Sequence, residues 1–275
     1  MLVLFVLLLH VVSFLFLSHD RSMKSLPSSV VTDRFGHRLR CYQLDQPGAR
    51  WNIVFIHGTP ATAAVFGEQF RHPFPAANLI AFDRPGFGAS KPHQKLPSLE
   101  DQANAVAAVL PTTGRATILV GHSYGAPVAL LTALKFTNQV VGVVLIGGSV
   151  DPAQERTYAI QHFADWTPIS WLVPRPLRQC NRELLTLRGD LVRLKLQLSA
   201  LLVPVVMLHG GNDHQVPVAN VEYLHAQFAA AGKTNLFGQL VFPQYNHFIP
   251  WEHPAAVEAA IRELTNRLNA IAQNH

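Results

Sequence analysis

Cysteine and charge are both scarce in this 275-residue chain: there are two cysteines, and Asp, Glu, Lys and Arg together make up 14%. Cys41 and Cys180 lie far apart with neither C-x-x-C nor metal-ligand spacing, so neither a disulfide framework nor a zinc site is indicated, and only a single bridge stays open. Basic runs interleaved with aromatics are missing too. The net charge of +5 therefore reads as a solvated surface, not as a nucleic-acid footprint. No internal repeat or low-complexity tract occurs. What is present is apolar, at 49%, which excludes a disordered chain, while 17 Gly and 19 Pro interrupt it too often for a multi-span membrane protein. The length suits one domain with one large core.

Residues 2–17 form the one long apolar run, broken only by His10 and Ser13. As a helix it would span about 24 Å, slightly short of the ~30 Å hydrocarbon core of a bilayer. A cleaved signal would carry an early Lys or Arg and a small-x-small cleavage site, and neither is found here, so residues 1–18 are expected to be an uncleaved membrane anchor. Arg21 and Lys24 follow the run and predict that the remainder of the chain lies on the cytoplasmic side; export after signal cleavage is the alternative.

After a polar linker, 19–29, apolar runs of strand length alternate with amphipathic stretches over 30–275. This order predicts an α/β fold with a mostly parallel central sheet and helices on both faces. Segments 30–31 and 37–44 read as a hairpin turning at Arg34-Phe35-Gly36. Runs 51–56, 79–82, 117–120, 140–146, 205–208 and 240–242 are the expected buried strands. Val257, Ile261, Leu264, Leu268 and Ile271 share one stripe of a closing helix over 254–272. Residues 153–202 contain no strand-like run and are far longer than an ordinary connection, which predicts a short inserted helical cap. Its stripe of Leu184, Leu187, Leu191, Leu194, Leu198 and Leu201 either packs the cap onto the domain or lines an apolar pocket.

Gly121-His122-Ser123-Tyr124-Gly125 falls between an apolar strand and a helix-forming run, the context of a nucleophile elbow in which a strained turn lifts the serine above the sheet. A serine hydroxyl needs a base, and the base needs a carboxylate to fix its tautomer. Of fourteen histidines, His247 follows the last strand and precedes the closing helix, at the carboxyl edge of the sheet. His57, His122 and His209 sit at strand ends beside glycines and read as space-fillers. Asp213 ends the preceding strand, and the chain order Ser123, Asp213, His247 suits this architecture. Asp151, after an earlier strand, is the alternative acid.

Together with His57-Gly58-Thr59-Pro60 and Asp83-Arg84-Pro85-Gly86-Phe87-Gly88, these motifs make the chain resemble the α/β-hydrolase superfamily over nearly all of 29–272. It is most similar to the branch holding dehalogenases, epoxide hydrolases, carbon–carbon bond hydrolases and small esterases. The first two use aspartate at the elbow, so Ser123 points away from them and toward attack on a carbonyl carbon. The resemblance implies an oxyanion hole of the Thr59 and Tyr124 backbone N–H groups and gives Asp83 and Arg84 structural duty. It implies an esterase-like serine hydrolase; the triad mechanism calls for no metal or organic cofactor, and the Leu- and Trp-rich cap predicts a small-molecule substrate with an apolar acyl group. An acyltransferase with the same triad, or a non-catalytic binding protein on the same fold, are the alternatives.

Overall fold

The computed structural model describes residues 23, 25–91, 96–167 and 169–273. The apolar run 2–17 lies outside the described residues, and among those described no helix is long and apolar enough to cross a membrane.

Eight strands form one sheet: β1 (Ser28–Thr32), β2 (Arg38–Leu44), β3 (Trp51–Ile56), β4 (Ala77–Phe82), β5 (Thr117–His122), β6 (Val140–Ile146), β7 (Val205–Gly210) and β8 (Phe237–Phe242). Their spatial order is β1-β2-β4-β3-β5-β6-β7-β8. The β1/β2 hairpin is antiparallel and joins antiparallel to β4, and every pairing beyond is parallel. Parallel strands covered on both faces must be apolar on both, and β4, β5 and β7 are buried along their whole length, whereas the edge strand β8 exposes alternate residues.

The helices are α1 (Gly67–Arg71), α2 (Leu99–Val109), α3 (Gly125–Lys135), α4 (Ala159–Asp165), α5 (Ile169–Leu172), α6 (Arg175–Lys195), α7 (Ala219–Ala230), α8 (Ile249–Glu252) and α9 (Pro254–Gln273). One core joins Val54 and Ile56 of β3 to α2, α3, α6 and α7; a second joins Ile53 and Phe55 of the same strand to α1, α8 and α9. The alternation of β3 between the two cores follows from the period of two along a strand. Ser98 starts α2 by accepting a hydrogen bond from the Asp101 N–H at 3.1 Å. In α9, Val257, Ile261 and Leu264 are buried, Leu268 is half-buried against the second core and Ile271 is exposed, so the stripe packs over all but its last turn.

The cap expected over 153–202 is α4, α5 and α6 with a 3₁₀ turn at Leu198–Ala200. Leu187, Leu191, Leu194, Leu198 and Leu201 are buried in the first core and Leu184 packs against it, which makes the stripe a packing face. The aromatic residues of the cap point the other way, with Trp166 60% and Trp171 74% exposed. Two features of the expected linker differ from a free tether: β1 begins at Ser28, and Met23 is fully buried in the second core. Cys41 and Cys180 are both buried free thiols, which closes the question of a bridge.

Candidate active site

Ser123 occupies the turn between β5 and α3 with φ +54°, a left-handed conformation that a side chain adopts only under constraint. Its N–H donates to the Ile146 carbonyl at 2.9 Å and its carbonyl accepts from the Ala126 N–H at 3.0 Å, so the turn is pinned to β6 on one side and α3 on the other. The loop after β3 crowds in from above. A Cβ on Gly58 would lie 2.8 Å from Ser123 Cβ and 3.3 Å from its Oγ, so glycine is required there for the backbone to approach the hydroxyl. The Thr59 and Tyr124 N–H groups donate to no protein acceptor among the described residues. Tyr124 also immediately precedes α3, whose N-terminus adds positive potential at the turn.

His247 and Asp213 come together from the loops after β8 and β7. His247 Nδ1 donates to Asp213 Oδ2 at 2.7 Å, and both residues are buried. The other carboxylate oxygen accepts from the Gln215 and Val216 N–H groups at 2.9 and 2.8 Å. Burial alone would raise the Asp213 pKa; the hydrogen bond and charge of His247, with the two amides, outweigh it and hold the carboxyl below its ordinary value. The carboxylate therefore stays ionised and leaves the His247 Nε2 lone pair free to accept a proton. Gly147, at φ +51°, lies against this pair: a Cβ there would come within 3.2 Å of His247 Nδ1 and 3.3 Å of Asp213 Oδ2.

Asp151 does not join them. Its Oδ1 accepts from the Ala153 N–H at 2.9 Å and its own N–H donates to Asn220, so the side chain shapes the turn leading into the cap. Ser123 Oγ and His247 are not hydrogen-bonded to each other in this arrangement; the elbow reaches the histidine loop through His122 instead. His122 Nε2 donates to the His247 carbonyl at 3.0 Å, with the two rings 4.8 Å apart. Burial first, then the neighbouring His247, pushes the His122 pKa down to about 3, so its ring is neutral. His209 similarly donates to the Val216 carbonyl at 3.0 Å and lies 3.7 Å from Asp213. His57 accepts from the Arg84 N–H at 2.9 Å, and its Nδ1 donates to the Gly58 carbonyl at 2.8 Å. The three histidines read from sequence as space-fillers are thus hydrogen-bonded struts under the site. The signal for this was their place at strand ends beside the three chemical loops.

Among the described residues no group of His, Cys, Asp and Glu is arranged to hold a metal ion. A strained serine, two N–H groups without a protein acceptor in the turn and loop around it, and an ionised aspartate bonded to a histidine thus lie in the loops at the carboxyl edge of the sheet.

Known proteins share this framework. The solved structure of an esterase from Exiguobacterium antarcticum superposes with a TM-score of 0.66 at 17% identity, covering 86% of this chain and 98% of that one. Over 140 residues the chain is 29% identical to the Arabidopsis thaliana protein named probable lysophospholipase BODYGUARD 4, a match covering 48% of this chain and 33% of that protein. Over 108 residues it is 25% identical to a Pseudomonas aeruginosa (R)-3-hydroxydecanoyl-ACP:CoA transacylase, covering 38% of this chain and 36% of that one. The chain thus spans about a third of the length of these two curated relatives. Residues 53–260, well over half of the chain, match the model of the Alpha/beta hydrolase family, and the chain belongs to that family of hydrolases.

Proposed function

We propose that the chain hydrolyses an ester-like carbonyl bond through an acyl-enzyme on Ser123. The observation that carries this reading is the 2.7 Å bond from His247 to the ionised Asp213, at the same edge of the sheet as the strained Ser123. In this mechanism Ser123 Oγ loses its proton to His247 Nε2 and bonds to the substrate carbonyl carbon. The Thr59 and Tyr124 N–H groups stabilise the oxyanion, each worth ~3 kcal/mol of barrier. The bond to the leaving group breaks as His247 returns the proton to it. Water, deprotonated by the same nitrogen, then releases the acyl group and restores Ser123. The Ser123–His247 contact is of the kind that tightens only once substrate is bound. A fluorophosphonate probe and a p-nitrophenyl ester test the proposal together. Labelling and turnover are expected in the full chain and absent in Ser123→Ala; labelling that persists in Ser123→Ala would refute it.

Acyl transfer is the second reading, favoured by the resemblance to a transacylase over part of the chain. Product analysis with an added alcohol or thiol beside water separates the two. An apolar acyl group is the substrate we favour: the cap presents Tyr158, Ile160, Phe163, Trp166, Trp171 and Leu172 to solvent, while its leucine stripe is consumed in packing. Slower turnover of medium aliphatic esters than of short charged ones would reject this. Association with a membrane through residues 2–17, with the catalytic domain on the cytoplasmic side, completes the proposal. Native protein beginning near Ser18 would instead mark export after cleavage.

A further inference from the structure

Arg84 is fully buried, and its surroundings are not those of a surface ion pair drawn inward. Nη1 and Nη2 donate to the two carboxylate oxygens of Glu183 at 2.7 and 3.1 Å, and neither side chain has any solvent exposure. The remaining donors point at the loop after β3: Nε to the His57 carbonyl at 2.8 Å and Nη2 to the Gly58 carbonyl at 2.9 Å. The guanidinium lies between the rings of Phe87 and Tyr124, 4.9 and 4.8 Å from their centroids. Glu183 belongs to the cap helix α6, which is fastened nearby through Thr186 to the Pro97 carbonyl at 3.0 Å and through Asp190 to the Leu99 N–H at 3.2 Å.

The Gly58 carbonyl and the Thr59 N–H are two ends of one planar peptide unit. Holding the oxygen therefore fixes the direction of the N–H. A charge-assisted bond to that oxygen also polarises the unit and strengthens the N–H as a donor. Burying two charges gains little stability over an apolar pair of similar volume, so stability alone gives no reason for this arrangement.

We propose that Arg84 and Glu183 are positioning residues that aim the Thr59 N–H at the oxyanion, so that seating of the cap helix on Arg84 sets the geometry of the oxyanion hole. This rests on the serine-hydrolase reading above. The cap then acts on the reaction without touching substrate at this point: Glu183 holds the guanidinium, the guanidinium holds the Gly58 peptide, and that peptide presents its N–H beside Ser123.

The test uses the full chain carrying Arg84→Met with Glu183→Leu, which removes both charges and keeps the volume filled. Thermal stability, KM and kcat on a p-nitrophenyl ester, and inhibition by phenylboronic acid are measured, the boronate standing in for the tetrahedral adduct on Ser123. The expected result is a Tm near that of the wild type and an unchanged KM. kcat and boronate affinity should fall together by roughly thirtyfold, part of what loss of an oxyanion donor costs. Glu183→Gln, which keeps the shape and an acceptor, should show a smaller parallel loss and decides the matter if the double variant does not fold. A folded variant whose kcat and boronate affinity match the wild type would overturn the proposal. Wild-type protein that neither reacts with a fluorophosphonate nor turns over esters would overturn the underlying reading instead, and the proposal with it.

Discussion

His122→Gln isolates the contribution of the strut that joins the elbow to the histidine loop. In the folded protein the ring is buried and neutral, with a pKa of about 3 against an ordinary 6.5. The unfolded chain therefore takes up a proton on His122 before the folded one does as pH falls. The stability due to the neutral ring is complete above pH 6.5 and is lost progressively toward pH 3. Each pH unit in that window removes about 1.4 kcal/mol, and the whole interval removes on the order of 4 kcal/mol, a large fraction of a typical domain's 5–15 kcal/mol. Glutamine can still donate to the His247 carbonyl but does not titrate. Urea unfolding of both proteins at a series of pH values between 8 and 4 measures the difference. Above neutrality the variant should be less stable by a constant offset from imperfect packing. Below pH 6.5 the wild-type curve should fall more steeply, by about 1.4 kcal/mol per unit, until the two approach or cross. His209, whose pKa burial also lowers, remains in both proteins and cancels in the difference; His57 is lowered chiefly by burial and Arg84, which the substitution leaves in place. Parallel curves from pH 6.5 to 4 would refute the reasoning, because they would mean that His122 charges inside the fold as readily as outside it.

Asp213→Asn should leave the fold intact and lower kcat by about four orders of magnitude through loss of the correct His247 tautomer. Asp151→Asn, whose amide oxygen can still accept from the Ala153 N–H, should stay within a few-fold of wild type by steady-state kinetics. Gly58→Ala should fold but react with a fluorophosphonate far more slowly, since the new Cβ would sit 2.8 Å from Ser123 Cβ; an unchanged labelling rate would remove the close approach from the argument. Leu191→Ala, at a side chain 1% exposed where the cap meets the first core, should cost 2–5 kcal/mol in urea unfolding.

Most of the framework was legible because its signals are local. An apolar run of strand length ended by Gly, Asp or Pro needs no distant partner to be recognised, and β3 and β6 match the sequence reading residue for residue. Strands β5 and β7 run two residues further than expected, to His122 and Gly210, because their ladders to β6 and β8 continue into polar and glycine positions that propensity discounts. The positions of Ser123, Asp213 and His247 after β5, β7 and β8 were readable in the same way, each from the strand before it. What could not be read were the distant partners of the supporting residues. His122 meets His247 across 125 positions and Arg84 meets Glu183 across 99, and neither residue type announces such a partner in its own neighbourhood.

The same division separates the chemistry from its geometry. Ser123, His247 and Asp213 are the groups that would exchange or stabilise charge, and each is identified by type and position. Their alignment depends on residues that carry no chemical signature: Gly58 and Gly147 leave room for close approach, His122 ties one loop to another, and Arg84 holds a peptide plane. The leucine stripe and the exposed aromatics of the cap belong to one segment and are indistinguishable by composition. Only their periodicity separates them: leucines three and four residues apart on α6 form a face that the core must cover, whereas α4 buries none of its residues. Apolar surface left exposed on a short helix has a different consequence from the same area inside a core. It contributes nothing to holding the cap in place, and it is the surface on which the proposed preference for an apolar acyl group rests.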